Sequence, residues 1–260
     1  MKYNRISADC HLDLCCLPPD LFVSEASAEF KDRMPHVVDG PDGPYWIDNN
    51  GASFGLVNGV SAPGSKYVKG AHYRVDRMAE TGLYEDGKNG IRRVSDPHLR
   101  IKEMERDGVD AEVIYGVAFV GSRMKDKPAM NEILRIYNTW LNDFCSTYPD
   151  RYIGLACLPP GDVDLAVKEV YRVAKLGLRG IELQCQLDTK PMWHPMWEPL
   201  WKAVSDVDLP LHFHAFPSIP LDWIEEAGPE RRSGAHFSAT SCFQANSFNI
   251  LAPLICGAVL

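Results

Sequence analysis

The stretch Ile6–Leu14, ISADCHLDL, lies near the N-terminus and decides how the rest of the chain is interpreted. It predicts a β-strand, and successive strand side chains point to opposite faces, so Asp9, His11 and Asp13 share one face. A carboxylate and an imidazole two residues apart can bind one metal ion, because each offers a donor atom at about 2.0–2.2 Å. Polar residues also occur at many strand ends without binding anything. The meaning of the motif therefore depends on the remaining sequence.

Beyond Asp96 the sequence alternates regularly between predicted helices and predicted strands. Helices are predicted from Asp96-Pro97 to Gly108, from Pro128, from Asp162 to Gly177 and from Pro195, and apolar strands at 110–119, 152–158, 180–185 and 209–216. Strands that are apolar on both faces and alternate with helices indicate a parallel sheet covered by helices. A (β/α)₈ barrel and a doubly wound sheet both fit this pattern. No G-x-G-x-x-G turn follows the first strand, so a dinucleotide site has no support.

The chemistry of barrel enzymes lies at the C-terminal ends of the strands. Asp9 and His11 lie toward such an end, and so do His212 and His214 on the last predicted strand. Those two histidines share a strand face about 6–7 Å apart, and His214 is the better placed to meet His11. The alternative is that each is a hydrogen-bonded core histidine.

Several other cysteines, histidines and tryptophans are of types that bind metals or cofactors in other proteins. In this sequence they are predicted to be structural. Cys157 and Cys185 fall on strands and are interpreted as small buried apolar residues. The histidines assigned to loops or helix starts are His36, His72, His98 and His236, while His194 is expected to cap its helix. Trp140, Trp197 and Trp201 follow helical spacing and are expected in the core.

Residues 20–95 form a long segment with little periodicity, interpreted as an insertion after the first strand. The part from Gly40 to Gly70 is rich in Gly, Pro, Asn and Asp and contains Tyr45-Trp46. Long irregular segments of compact domains are usually functional or disordered, and the aromatic residues favour an ordered lid over a linker. The alternative is a surface excursion that packs only on itself.

Composition narrows the class of protein. The net charge is −8 and no Lys/Arg block is present, which argues against a nucleic-acid partner. The eight cysteines have irregular spacing and no C-x-x-C pair, which indicates reduced thiols in the cytoplasm. The sequence shows neither a signal peptide nor the 18 or more consecutive apolar residues of a membrane span, so no membrane association is expected.

Seven segments spread along the chain resemble one family. They are ISADCH (6–11), DPHLR (96–100), MERDGVDAEV (104–113), YNTW (137–140), PDRYIG (149–154), LGLRG (176–180) and LPLHFH (209–214). Together they resemble the amidohydrolase superfamily, in the branch of aminocarboxymuconate-semialdehyde decarboxylase and the resorcylate-type decarboxylases. The resemblance implies a TIM-type (β/α)₈ barrel, with residues 1–260 as one partial domain and 20–95 inserted in it.

The resemblance also implies a metal centre. Asp9 and His11 match the first-strand pair of family ligands, where the first position is often His or Glu, and His214 matches the histidine that ends the fifth strand. No lysine lies on the strand at 180–184, so a carbamylated bridge between two metals is not supported. We expect one divalent ion, Zn²⁺ or Mn²⁺, since carboxylate and imidazole suit both.

The sequence departs from the family at its end, because the relatives continue well past residue 260. About five barrel strands are counted instead of eight, and the family's sixth-strand catalytic residue and eighth-strand aspartate have no counterpart. The expectation is a C-terminally truncated chain whose general acid or base lies beyond residue 260, so no catalytic residue is assigned. The implied function is a metal-dependent hydrolase or non-oxidative decarboxylase of a small carboxylated cyclic or unsaturated compound, with a homo-oligomer possible. The alternative is an inactive fragment or a subunit that only packs against another.

Overall fold

The protein is described by a computed structural model that covers residues 2–41, 43–49, 53–59, 81–117, 124, 126–185, 189–214, 221–257 and 259. These residues belong to two compact units. The first is Met1–Cys157 with Leu176–Gly180, and the second is Leu158–Lys175 with Ile181–Leu260. Among the helices in the described ranges, none has both the length and the apolar character needed to cross a membrane.

The first unit contains a parallel set of strands and a smaller antiparallel sheet. Its elements are β1 (Ile6–His11), α1 (Leu21–Glu25), β2 (His36–Val38), β3 (Tyr45–Ile47), β4 (Ser53–Leu56), α2 (Leu83–Lys88), α3 (Pro97–Asp107), β5 (Ala111–Tyr115), α4 (Lys127–Ser146) and β6 (Tyr152–Cys157). Strands β1, β5 and β6 are parallel neighbours in that order. Ile6 pairs with Ala111, and Glu112 pairs with Tyr152. The predicted parallel arrangement is therefore present in this unit.

Helix α3 begins and ends where its sequence signals place it. The Asp96 carboxylate accepts hydrogen bonds from the backbone N–H groups of His98 and Leu99, at 2.8 and 3.1 Å. Pro97 occupies the first helical position, where its missing N–H costs nothing. Gly108 ends the helix with a φ of +68°, a left-handed conformation that glycine adopts without strain. The predicted helix from Asp96 to Gly108 is confirmed.

Helix α4 packs its apolar face on β6. Of the predicted apolar positions, Ile133, Ile136, Leu141 and Phe144 are buried, while Trp140 is half-buried. Its side chains approach the strand closely at Gly154, where a Cβ would lie 2.8 Å from Leu141 and 2.9 Å from Cys145. The buried Asn138 amide also bonds the backbone of Cys157 in both directions, at 2.8 and 2.9 Å. The amide therefore supplies hydrogen bonds to buried backbone groups of the strand.

The segment after β1 contains more regular structure than the sequence predicted. Strands β2, β3 and β4 form a three-stranded antiparallel sheet, and His36 lies in β2 rather than in a loop. Trp46 is fully buried and meets the Phe22 ring edge-on at a centroid distance of 6.1 Å. Trp46 is thus a core residue of the small sheet, and the role of this segment as a lid stays a prediction. Residues 60–80 of the predicted lid lie outside the described residues.

An ion pair fastens this segment to α4. The Arg33 guanidinium donates from Nε to Asp126 Oδ2 at 2.7 Å and from Nη2 to Oδ1 at 2.5 Å. Asp126 also caps α4, because its Oδ1 accepts from the Ala129 N–H at 3.2 Å. The two-point contact with the guanidinium and the cap together hold the pKa of the Asp126 carboxyl below its usual value.

The second unit continues the alternation of helix and strand. It contains most of α5 (Val163–Leu176) and of β7 (Gly180–Gln184), followed by α6 (Glu198–Val207), β8 (Leu211–His214), α7 (Leu221–Glu226), α8 (Gly228–Asn246) and α9 (Phe248–Cys256). Strands β7 and β8 are parallel, with Glu182 opposite His212 and Gln184 opposite His214. The residue after β6, Leu158, donates its N–H to the Glu182 carbonyl at 3.1 Å. The core between these strands and helices includes Val170, Ile181, Leu183, Trp197, Leu200, Ile250 and Leu254.

The strands that the sequence predicted are all present, with shorter bounds. The strand predicted at 110–119 spans Ala111–Tyr115 and the one at 209–216 spans Leu211–His214, while parts of their predicted C-terminal ends lie outside the described residues. The helix predicted at Pro195 begins as a 3₁₀ turn and continues as α6 from Glu198. His194 caps it as expected, because its Nδ1 accepts from the Met196 N–H at 3.2 Å.

A buried ion pair joins α3 to β5. Arg100 and Glu112 are both buried, and the guanidinium Nε donates to Glu112 Oε2 at 2.6 Å. The same guanidinium donates from Nη1 to the carbonyl oxygens of Val94 and His11, at 3.2 and 3.3 Å. Arg100 therefore connects a helix, a neighbouring strand and the last residue of β1.

Removing one partner of this pair should be strongly destabilising. We expect Arg100→Met to lower the free energy of unfolding by about 3–5 kcal/mol, because Glu112 is left as a buried unpaired charge. The double variant Arg100→Met with Glu112→Leu should show a clearly smaller decrease in the free energy of unfolding, since no buried charge remains. The exposed Arg106 of the same helix pairs with Glu103 and supplies the control Arg106→Ala, which should change little. Urea denaturation followed by circular dichroism measures all three, and a double variant as unstable as the single would contradict the argument.

The contact of Arg33 with Asp126 should make stability depend on pH in the acidic range. The pKa of Asp126 is lower in the folded chain than the unfolded value of about 3.9, so its contribution is present above that pH. The contribution is lost as the pH falls through the folded pKa. We expect Asp126→Asn to be less stable than the wild type at pH 7, with the difference shrinking as the pH falls below about 4.

Urea denaturation at several pH values between 7 and 3 measures this difference. The matched control is Asp20→Asn, since the Asp20 side chain is exposed and makes no cap hydrogen bond at the start of α1. A difference between wild type and Asp126→Asn that stays constant down to pH 3 would show that the ion pair does not carry the effect.

Candidate metal centre

Asp9 and His11 lie together at the C-terminal end of β1. The Asp9 Oδ1 atom is 3.2 Å from His11 Nε2, and the Asp9 side chain is 78% exposed whereas that of His11 is 32% exposed. The strand is irregular here, because Ser7 pairs with Glu112 but Cys10 pairs with Ile114, so two residues of β1 lie opposite one of β5. Such a bulge re-aims side chains and is common beside functional sites. The first pair of predicted ligands is thus adjacent in space.

The surroundings of His11 fix the orientation of its ring. Its Nδ1 lies 3.6 Å from Asp13 Oδ1, and its ring stacks on Tyr115 with centroids 5.9 Å apart and planes inclined by 23°. The Asp13 carboxylate raises the pKa of His11, burial opposes this, and Asp9 adds to the rise. With Nδ1 toward Asp13, the Nε2 atom faces Asp9. An oxygen and a nitrogen donor therefore lie side by side within a cluster of excess negative charge.

The backbone at the end of β1 is held from two sides. Arg100 donates to the His11 carbonyl, and the Leu12 N–H donates to the Tyr115 carbonyl at 3.0 Å. Leu12 is fully buried beneath this point. The donors of Asp9 and His11 therefore project from a rigid strand end, which a metal site requires for precise geometry.

The third predicted ligand, His214, is the last residue of β8 in the second unit. Its Nδ1 is 2.7 Å from Oε1 of Glu182, a carboxylate that is completely buried. His212 lies opposite Glu182 on β8, and burial lowers the pKa of its imidazole although Glu182 acts in the other direction. The strand-end position of His214, which the sequence argument preferred over His212, is the one that contacts the buried carboxylate.

Three residues of the site have no role that could be predicted from their place in the sequence. Glu182 is the clearest case, and its signal is an ionisable side chain in the middle of the apolar strand GIELQ. Asp13 was placed on the face of His11 but without a function. Arg100 was noted only as part of a motif, because its contact with the His11 carbonyl bridges 89 positions of sequence.

Most of the residues predicted to be structural are placed as expected where they are described, but His36 lies in β2 and His236 lies within α8, not in a loop or at a helix start. Cys157 and Cys185 are buried, and burial raises the pKa of Cys185 to about 12, so its thiol stays protonated near neutral pH. His98 lies in the first turn of α3 with its Nδ1 3.0 Å from the Tyr148 hydroxyl. Trp197 is buried in the core of the second unit, and Trp201 is half-buried against that core. His72 lies outside the described residues.

The chain is similar in sequence to a known protein family and to a curated protein. The sequence model of the family described as Amidohydrolase matches residues 10–248. Among curated proteins, a 2-amino-3-carboxymuconate-6-semialdehyde decarboxylase from Dictyostelium discoideum is 32% identical over 97 residues, which cover 36% of this chain and 27% of that protein.

Several solved structures share the fold, among them two that match most of this chain. An amidohydrolase from Mycobacterium avium subsp. paratuberculosis K-10 matches with a TM-score of 0.61 at 16% identity, covering 87% of this chain and 61% of that one. A 5-carboxyvanillate decarboxylase from Sphingomonas paucimobilis matches with a TM-score of 0.51 at 20% identity, covering 89% and 57%. At these identities the likeness concerns the fold alone, and it confirms the predicted α/β barrel class. The chain spans less than two thirds of the length of each of these relatives.

Proposed function

The chain belongs to the amidohydrolase family, and on that premise we propose that it is a metal-dependent carboxy-lyase acting on a small carboxylated cyclic or unsaturated compound. In this proposal Asp9, His11 and His214 bind one divalent cation, Zn²⁺ or Mn²⁺. The observation that carries the proposal is the pairing of Asp9 Oδ1 with His11 Nε2 at 3.2 Å on the C-terminal end of a barrel strand. That end is where enzymes of this fold place their chemistry.

The chemistry of the donors supports the metal. Nδ1 of His11 faces Asp13 and Nδ1 of His214 faces Glu182, so Nε2 is the metal-binding nitrogen of both rings. Metal-binding histidines commonly place their second ring nitrogen against a carboxylate in this way. One carboxylate with two imidazoles suits Zn²⁺ and Mn²⁺ alike and does not choose between them.

The proposed reaction breaks the bond between a substrate carbon and its carboxylate. The electron pair of that bond stays on the substrate carbon, which takes up a proton, and carbon dioxide leaves. When bound, the cation would supply positive charge that orients the substrate oxygens and offsets the negative charge that develops on the substrate. Within the chain, Asp13 and Tyr115 keep the His11 ring in place, while Arg100 fixes the backbone from which it projects.

Decarboxylation is favoured over hydrolysis because the amoebal relative, 32% identical over its matched part, is a decarboxylase. The same relative supports a small molecule as the substrate. We expect no nucleic-acid partner. None of the eight cysteines forms a disulfide, and we infer from this a reducing, cytoplasmic location.

The experiment measures metal and product on the same preparations. The purified chain is stripped with a chelator, reloaded separately with Zn²⁺ and Mn²⁺, and analysed by inductively coupled plasma mass spectrometry. We expect about one equivalent of metal in the wild type and a loss of most of it in Asp9→Asn and His11→Asn, because each variant removes a donor. His98→Asn is the matched control, since that histidine bonds Tyr148 and should leave the metal content unchanged.

Product analysis then separates the reaction classes. The loaded protein is incubated with 5-carboxyvanillate and with 2-amino-3-carboxymuconate-6-semialdehyde, and carbon dioxide release is recorded. Carbon dioxide that depends on Asp9 and His11 supports the lyase, whereas release of an amine or alcohol from amide or ester substrates would support a hydrolase instead. A chain that binds no metal and releases neither product would be the inactive fragment or packing subunit.

A further inference from the structure

The buried carboxylate of Glu182 has no role in the proposed function beyond its contact with one ligand. We propose that Glu182 is a positioning residue, whose carboxylate accepts a hydrogen bond from Nδ1–H of His214 and so presents Nε2 of that ring as the metal-binding nitrogen. The metal-binding part of this inference rests on the proposed function, whereas the state of the imidazole ring does not depend on a metal.

Strand geometry explains why these two side chains meet. Glu182 lies opposite His212 in the parallel pairing of β7 with β8, and His214 is two residues further along β8. Side chains two residues apart on a strand share a face, so Glu182 and His214 lie on the same face of adjacent strands. The longer Glu182 side chain reaches His214, and Oε1 comes to 2.7 Å from Nδ1.

Burial gives this contact its strength. The Glu182 side chain has no exposed surface, and that of His214 is 20% exposed. A carboxylate removed from water is costly unless hydrogen bonds compensate it, and a hydrogen bond to an ionised group is stronger than a neutral one. The His214 tautomer with the proton on Nδ1 provides that hydrogen bond. The opposite tautomer would leave the carboxylate facing a ring nitrogen that cannot donate.

The consequence for metal binding follows from the tautomer. A metal binds the ring nitrogen that carries no proton, and a neutral imidazole carries its proton on either nitrogen. A carboxylate at Nδ1 selects the tautomer in which Nε2 can bind. A Glu182 with only a structural role would stabilise β7 and β8 without selecting a tautomer.

The first measurement records the ring nitrogens directly in the metal-free chain. Uniformly ¹⁵N-labelled protein is examined by long-range ¹H–¹⁵N correlation spectra, with His214→Asn used to assign the signals. We expect His214 of the wild type to carry its proton on Nδ1 and Glu182→Met to lose this preference. Glu182→Gln keeps an acceptor oxygen without the charge and should lie between the two. A wild-type His214 with its proton on Nε2 would overturn the assignment.

The second measurement is the zinc affinity of the same proteins, obtained by competition with a chelating indicator. Loss of a carboxylate that supports a ligand typically weakens metal binding by about 10–100-fold, and we expect this for Glu182→Met with partial rescue in Glu182→Gln. The control is Glu169→Gln, which alters another buried carboxylate of the same unit, paired with Arg172 at 2.6 Å. The control should change neither the zinc affinity nor the His214 tautomer.

The outcomes distinguish this inference from the proposed function. A wild type that binds no zinc but carries the proton on Nδ1 contradicts the proposed function and leaves the positioning role supported. A wild type that binds zinc, with an unchanged tautomer and affinity in Glu182→Met, contradicts the positioning role alone. Should Glu182→Met fail to fold, the wild-type tautomer and the Glu182→Gln affinity decide the question.

Discussion

The candidate site of the first unit depends on one buried ion pair. Arg100 and Glu112 form it inside the unit, and the remaining donors of the same guanidinium reach the carbonyls of Val94 and His11. A buried guanidinium needs most of its five donors satisfied, so its neighbours have little freedom to move. The end of β1 is thereby fixed at the point where Asp9 and His11 project. The site is rigid because the core beneath it contains a charge that must remain paired.

The same chemical arrangement occurs beside both candidate histidines. Asp13 stands at Nδ1 of His11, and Glu182 stands at Nδ1 of His214. The two contacts differ in strength, since the first spans 3.6 Å beside solvent and the second spans 2.7 Å inside the core. A carboxylate in low dielectric interacts more strongly than one in water, so the ring of His214 is the more firmly held. The first pair relies instead on stacking with Tyr115 and on the backbone contact with Arg100.

Much of the fold can be predicted from local sequence, because the residues that begin and end a helix or strand act over only a few positions. Asp96, Pro97 and Gly108 define α3 through hydrogen bonds and backbone angles that involve only their neighbours. The short strands β2 to β4 were not predicted, because three or four residues are too few to show the alternation of apolar and polar side chains that indicates a strand. The sequence places Trp46 in a segment rich in Gly, Pro, Asn and Asp, which is why that segment was interpreted as a lid. The contact of Trp46 with Phe22 depends instead on how the small sheet packs on α1.

The sequence by itself determined the alternation of strands and helices, the family resemblance and the candidate ligands Asp9, His11 and His214, because these follow from residue type and spacing. The tertiary structure decided which groups support the ligands. Glu182 reaches His214 only because β7 and β8 pair in one particular register, and Arg100 reaches His11 only because α3 packs against the end of β1. The register shift next to Asp9 likewise arises from the pairing of β1 with β5. Local spacing fixes which side chains share a face, whereas contacts between distant segments depend on packing that no short stretch encodes.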